Sequence, residues 1–490
     1  MLADHWGNTY VSGWFNDSTV IGTDTFFLPH YASAGILMKV NAAGDLIWAK
    51  KIGSAGYAQI SEMAFDLSGN LLLAGSFSDT LTIGGNTMIA SGYNDILVAK
   101  YDTAGNPLWA LSAGNVGADA ASHITCDPFD NIIVGGLFQY ASPFPSITLT
   151  AYGDADVFVA KLNSTGTVLW AQSCGGMQNE GLAGLTTDAA GDIYLSGKSA
   201  FNFNYGAQSW NGFETIFIGK ITAAGDLSTV KVSVTGWGTS GICGLEKDAS
   251  ENLYALLLIS PDFSFDSILL PNPNQVRMGA IKLDTALNVS WLKTFGYSHT
   301  AYMTDMVTDI DGNCYLTGDF QDTLIFGTSV FNSPGFTHYG FVAGIDSSGN
   351  EMWAQISTCT NISHLSVDGN RCIRIAGDAF GTETFDTIAI TSAGQTDLFL
   401  GRLCQLSVGI DNQHVDEIVS VYPNPATDFV SFNNCEQCSS ITISNPSGKI
   451  IRSGEFSNRL RVSDLSPGIY FITFSNTNGD VLAREKFLKM

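Results

Sequence analysis

The chain has 490 residues, 45% of them hydrophobic and only 14% charged, with 52 glycines. That balance excludes a disordered protein and suits an all-β one rich in tight turns. Its formal charge of −24 is uneven: residues 415–490 hold 7 Lys+Arg against 8 Asp+Glu, leaving 15 against 38 for residues 1–414. So acidic a surface repels phosphate backbones and anionic lipid, which argues against a nucleic-acid partner, and the absence of a long apolar run argues against a transmembrane segment.

Met1-Leu2-Ala3-Asp4 leads straight into patterned sequence, with no basic, apolar leader. Asp4 opens a motif that runs to Phe15 and returns at Asp66, Asp127, Asp188, Asp248 and Asp309, with a degraded copy at Asp368. The spacings are 62, 61, 61, 60, 61 and 59 residues. Because the first copy starts without the strand that should precede it, the natural product is expected to extend upstream, with the missing strand and a secretion signal.

Within each period the order of signals repeats. Asp66-Leu-Ser-Gly-Asn70 has hairpin chemistry, since Asp can accept backbone N–H groups two residues on and Gly takes the left-handed position. Leu71–Gly75 is a continuous apolar run, as expected of a strand buried on both faces. Leu81-Thr-Ile83 supplies another strand, Asp95–Lys100 a third, Asp102–Gly105 a turn and Pro107–Leu111 a fourth. The lysine of the second motif recurs at Lys39, Lys100, Lys161, Lys220 and Lys282, and its tryptophan at Trp48, Trp109, Trp170, Trp291 and Trp353. The fourth unit carries Thr229 in the tryptophan slot, so its joint should be weaker.

One small sheet has two wet faces and two open edges, so repeated sheets must bury their faces on one another around an axis. The fold expected for residues 1–405 is an all-β propeller of about seven blades, its tryptophans packing between blades. The copies resemble the SBBP-type β-propeller repeat of bacterial surface proteins, a resemblance that implies a fold and an exported context but no ligand.

After a connector at 406–417 the beat stops, and residues 418–490 read as a small β-sandwich with turns at Asn-Pro, Ser-Gly, Pro-Gly and Asn-Gly. Pro423-Asn424-Pro425, Ser444 to Gly448, Leu465 to Tyr470 with Gly468, and the basic end Lys486-Phe-Leu-Lys489 are similar to the type A sorting domain of the type IX secretion system of Bacteroidetes. That resemblance implies recognition by the outer-membrane translocon and an extracellular or outer-membrane-surface location.

Chemistry is sparse. Nine cysteines include one close pair, Cys435 and Cys438, expected as a local disulfide; the others suit small core residues. The seven histidines are read as falling at unrelated repeat positions. No cofactor is expected, calcium at acidic turns such as Asp309–Asn313 being the one possibility weighed, against a plain hairpin turn. Asp-Ser/Thr-apolar triplets at Asp17, Asp79, Asp266, Asp322 and Asp386 resemble an O-glycosylation acceptor or serve as turns.

The function expected is a binding, adhesion or scaffold module for an unidentified glycan or protein, with variable loops at 139–150 and 260–275. A glycan-processing enzyme is the alternative. It would show carboxylates gathered at the mouth of the central channel, although Asp102–Trp109 is one residue longer than the sialidase Asp-box it resembles. Only Arg277, Arg371, Arg374 and Arg402 precede residue 415.

Overall fold

In the computed structural model the chain divides into two units, Met1–Gln405 and Leu406–Met490. It describes residues 1–404 and 420–489, apart from 5, 17, 29–31, 54–55, 200–201, 206–207, 212–214, 235–240, 260–262, 267, 270–276, 298–299, 336, 359–360, 369–370, 386–387, 393–395, 434–437, 446–448 and 477–480. The described elements are all β-strands.

The second repeat gives the plan of the first unit. Its four antiparallel strands run Ala58–Phe65, Leu71–Phe77, Asp95–Tyr101 and Pro107–Ala113, hydrogen-bonded in that order. The two middle strands are buried throughout, which is why their sequences are continuously apolar rather than alternating. Among the described residues seven such sheets follow one another, the last with three strands ending at Asp397–Cys404. From the second sheet on, the first strand of each packs beside its counterpart in the next; the first sheet meets Ala58–Phe65 through Thr9–Asn16 and Ser33–Val40, and Leu2–Ala3 lies beside Asn361–Val367 of the last. Arg374 Nη2 donates to Gly7 O at 2.9 Å across that joint. The ring is closed, and the fold is a β-propeller.

Each period also inserts a hairpin between its second and third strands, such as Thr80–Ile83 with Asn86–Ile89. The stretch at 139–150, expected as a variable loop, is such a hairpin: Ala141–Phe144 pairs with Ile147–Thr150 because alternating residues there bury Ser142 and Phe144. Three hairpins pair with the outer strand of the preceding unit, through Cys174↔Tyr205, Ser233↔Phe265 and Ser357↔Phe385, and so cover an open sheet edge.

The repeat residues form a joint between sheets. Asp66 Oδ1 accepts the N–H groups of Ser68 and Asn70, and Oδ2 meets Lys100 Nζ at 2.6 Å. Lys100 Nζ reaches on to Ser164 O of the next unit at 3.2 Å, where Trp109 Nε1 also donates at 3.2 Å. Lys161 and Trp170 share Ala223 O in the same way, and Lys282 and Trp291 share Ser347 O. The indole lies flat on the turn glycine beyond: a Cβ on Gly166 would sit 3.0 Å from Trp109, and Gly166 has φ +85°, so no other residue suits the position. Trp48 donates to Thr103 O by the same rule. In the fourth unit, where Thr229 replaces the tryptophan, Thr285 O is met by Lys220 and by the Tyr194 hydroxyl, at 3.3 and 2.8 Å. Trp353 stands against Tyr315, and its Nε1 has no acceptor among the described residues.

Burial pushes the Asp127 carboxyl up, but the Lys161 ammonium, the Asn131 amide and two backbone N–H groups outweigh it and hold it below the usual carboxylate range; Asp66, Asp188 and Asp248 are held low likewise. Their stabilisation is therefore intact above the ordinary value of 3.8 and lost as pH falls through the folded values.

Cys372 and Cys404 stand opposite each other on paired strands and form a disulfide, correcting their reading as free core residues. Cys126, Cys174, Cys243 and Cys314 are free.

The second unit stacks a three-stranded sheet (Ser420–Tyr422, Phe429–Asn433, Arg459–Arg461) and a four-stranded one (Ile450–Glu455, Ser440–Ser444, Gly468–Ser475, Val481–Lys489) on its own core of Val430, Phe432, Ile443, Ile472, Phe474 and Phe487. Cys438 is disulfide-bonded; Cys435 lies outside the described residues.

Two substitutions test the joint by urea unfolding. Lys161→Met strands the fully buried Asp127 carboxylate and should cost about 3–5 kcal/mol. Trp109→Ala should cost about 3 kcal/mol, and Trp353→Ala less, because its indole holds no carbonyl.

Candidate functional site

Three places on the molecule bring functional groups together. The first is the axis. Every first strand except the two-residue Leu2–Ala3 slips register by a β-bulge, between Ile60 and Glu62, Ala121 and His123, Leu182 and Gly184, Cys243 and Glu246, Met303 and Asp305, and Ile362 and His364. Bulges re-aim the side chain that follows them. Glu62 Oε2 accepts the Ile124 N–H at 2.5 Å and lies 3.4 Å from His123 Nδ1, while His123 Nε2 reaches Leu182 O at 3.3 Å. Four repeats on, Asp305 Oδ2 accepts the Leu365 N–H at 2.7 Å and lies 3.7 Å from His364 Nδ1. Two of the histidines thus occupy one repeat position, four residues before Asp127 and Asp368, a correction to their reading as scattered.

Burial lowers the His123 pKa, but the Glu62 charge and hydrogen bond outweigh it and raise the value above 6.5. Burial pushes the Glu246 carboxyl up to about 8, helped by the charges of Asp305 and Glu62. Cys243 donates to Met303 O at 3.1 Å, and burial followed by the Asp305 charge pushes it up to about 11, so it is a neutral thiol at physiological pH. The axis therefore gathers carboxyls and imidazoles, with His123 beside Glu62 and His364 beside Asp305.

The second place is the edge of the ring from which the hairpins emerge. Strand polarity sends the Asp turns to the opposite edge, and sends the hairpins, the approaches to the third strands and the links between sheets to this one. Here five loops touch in series. Tyr93 N–H donates to Gly117 O, Ala118 N–H to Gln139 Oε1, and Ala151 N–H to Tyr140 O, at 3.1, 3.0 and 2.8 Å. A Cβ on Gly153 would meet Gly176 O and Met177, so the last two loops are in contact. Along this chain of loops Tyr93, Val116, Tyr140, Tyr152 and Met177 point outward, Tyr93 with 82% and Met177 with 73% of its surface exposed.

The third place is one edge of the second unit. Asn424 Oδ1 accepts the Leu488 N–H at 2.9 Å, and Ala426 N–H donates to Leu488 O at 2.8 Å, so Pro423-Asn424-Pro425 is fastened to the C-terminal strand beside the buried Lys489. Tyr470 stacks on Phe487 with ring centroids 5.6 Å apart, and its hydroxyl donates to Ser466 O. Gly468 begins the strand that carries Tyr470; Lys486 pairs with Phe471 on the same sheet; Gly448 lies outside the described residues.

At the turn weighed for calcium, the Asp309 carboxylate is filled by donors: the N–H groups of Asp311 and Asn313, the Asn313 amide and the Tyr315 hydroxyl. Arg371 takes Asp311. Asp79 and Asp322 take left-handed φ values at the start of their hairpins, and Asp266 takes one in the turn between Ser264–Phe265 and Ile268–Leu269, the conformation Asp tolerates; Asp17 and Asp386 lie outside the described residues.

The sequence profile of the secretion system C-terminal sorting domain matches residues 420–489. An uncharacterized WD repeat-containing protein of Acanthamoeba polyphaga mimivirus is 24% identical over 197 residues, which are 32% of this chain and 14% of that protein. The chain thus matches only a small part of that relative's length. Among solved structures, PorZ, an essential surface component of the type IX secretion system of Porphyromonas gingivalis, aligns over 97% of this chain and 86% of its own, at 10% identity and a TM-score of 0.21. The extracellular domain of a putative two-component system of B. thetaiotaomicron aligns over 94% and 73%, at 11% identity and 0.19. A fungal alcohol oxidase in complex with copper aligns over 99% and 95%, at 12% identity and 0.29. Overlaps this loose carry no argument.

The sorting domain makes this an exported protein, a β-propeller carried by the type IX route to the cell surface or the extracellular space.

Asn424→Ala removes the acceptor of the Leu488 N–H. It should lower the stability of the second unit by about 1 kcal/mol, read from the unfolding of that unit.

Proposed function

We propose that the propeller is a binding module that holds an extracellular partner on its hairpin edge, while the C-terminal domain serves export and takes no part in binding. The observation that carries this reading is the row of outward Tyr93, Val116, Tyr140, Tyr152 and Met177 on loops braced by one another. A series of exposed apolar side chains on braced loops suits recognition, and tyrosine gives a flat apolar face with a polar tip at small entropic cost. The acidic propeller repels anionic polymers, so the partner is a neutral glycan chain, whose sugar faces stack on tyrosine rings. The resemblance of the repeats to the SBBP type of surface proteins supports the same setting.

The triple variant Tyr93→Ala, Tyr152→Ala, Met177→Ala should lose about tenfold or more in affinity for the glycans that the full chain retains on an array, with an unchanged melting temperature. Undiminished binding by that variant would end this reading.

One observation favours the glycan-processing alternative: burial and the charges of Asp305 and Glu62 push the axial Glu246 carboxyl up to about 8, as a general acid of glycoside hydrolysis requires. On that reading the full chain releases reducing sugar from neutral polysaccharide, and Glu246→Gln abolishes the release. An inert wild-type chain across a polysaccharide panel leaves binding alone.

A further inference from the structure

Two pairs of acids are enclosed where consecutive sheets meet. Asp95 and Asp119 face one another across the joint between the second and third sheets, and Asp156 and Glu180 hold the same two positions one period later. One period earlier these positions are Ala34 and Ala58, equally buried. All three joints carry the same short parallel bridge, Ser33↔Tyr57, Asn94↔Ala118 and Ala155↔Asn179. The backbone of the joint therefore forms without acids, and the acids are an addition to it.

Each acid closes its own loop. Asp95 Oδ2 accepts the Ser91 N–H at 3.1 Å, and Asp119 accepts those of Asn115 and Gln139 at 2.7 and 2.8 Å. Asp156 Oδ2 accepts the Tyr152 N–H, the Gly153 N–H also faces this carboxylate, and Glu180 accepts the Gly176 N–H and the Ser199 hydroxyl. What remains is the contact of Asp156 with Glu180, side chain to side chain. Asp156 is fully buried and Glu180 5% exposed, and neither Asp156 Oδ1 nor Glu180 Oε2 receives a hydrogen bond from a described donor. Two carboxylates are acceptors only; they can bond to each other once one of them holds a proton. Among the described residues the other titratable group facing them is Cys174, which burial keeps a neutral thiol, and it supplies no positive charge.

We propose that Asp156 and Glu180 share one proton at neutral pH, and that this proton latches the third sheet to the fourth until alkaline conditions remove it. Burial pushes the Glu180 carboxyl up to about 8, with the Asp156 charge adding to it, and burial raises Asp156 as well. A folded value raised from 4.5 means that the native chain holds a proton the unfolded chain has lost. The latch is thus complete below the unfolded value and fades as pH rises through the folded one. At the equivalent joint one period earlier, Asp95 is raised to about 6 by burial first and then the Asp119 charge.

The test compares melting temperatures of the full chain, Glu180→Gln and the double variant Asp156→Ala, Glu180→Ala between pH 6 and 9. Glutamine brings its own donor and keeps the contact at any pH, while the double variant reproduces the Ala34/Ala58 joint. The wild type should lose roughly 2–4 °C more than either variant over this range. Should the double variant not fold, Glu180→Gln carries the comparison. Parallel slopes for wild type and Glu180→Gln overturn the proposal. So does a wild-type melting temperature that rises with calcium chloride and falls with chelator while Glu180→Gln stays still, since a cation would then be what joins the two acids.

Discussion

At three joints between neighbouring sheets an indole N–H and a lysine ammonium converge on one backbone carbonyl of the next unit, and the propeller is organised around that contact and its variants. The carbonyl belongs to a tight turn whose glycine lies under the indole, so the ring of Trp109 measures the position of the following sheet at Ser164 and Gly166 together. The lysine ties the same point to a buried aspartate of its own sheet, whose turn closes around that carboxylate. Turn, sheet and neighbour are thus fixed by a single cluster. Its charge is neutralised inside the cluster, which lets an ion pair sit in an otherwise apolar joint.

A periodic scaffold of this kind separates structure from use. The joint residues lie toward the edge where the Asp turns close, so the axis and the opposite edge are free to vary. At the axis a bulge common to six first strands aims one residue per unit inward, and that residue ranges from glycine to glutamate to histidine without disturbing the sheet behind it. At the hairpin edge the loops are linked by backbone hydrogen bonds, the Gln139 side chain and a close approach at Gly153, which leaves their outward side chains unconstrained by folding.

How much of this was legible in the sequence follows from the same division. Asp66, Lys100 and Trp109 recur as the same residue type at a fixed interval because each fills the same contact, so repetition alone exposed the fold. Glu62, His123, Asp305 and His364 differ in type at one position, and a search for repeated residues passes over them. Aligning the copies on the residue four before each repeat aspartate would have found the acids and imidazoles at once. Cys372 and Cys404 are 32 residues apart and become partners only through the register of two strands that are not adjacent in sequence, with a hairpin between them. The sorting edge was readable as a motif, but its fastening through Asn424 to the last strand belongs to tertiary contact.

The hairpins that complete a neighbour's sheet have a further consequence. Tyr205 is encoded in one period and finishes the sheet of the period before it, so the boundary between copies along the gene does not coincide with any seam in space. Recombination that adds or removes one whole period restores every exchange of strands wherever the crossover falls. A change of any other length leaves one sheet uncovered and one hairpin without an edge. Growth and shrinkage of such a ring are therefore quantised, and a lineage can alter its diameter only in steps of a full repeat.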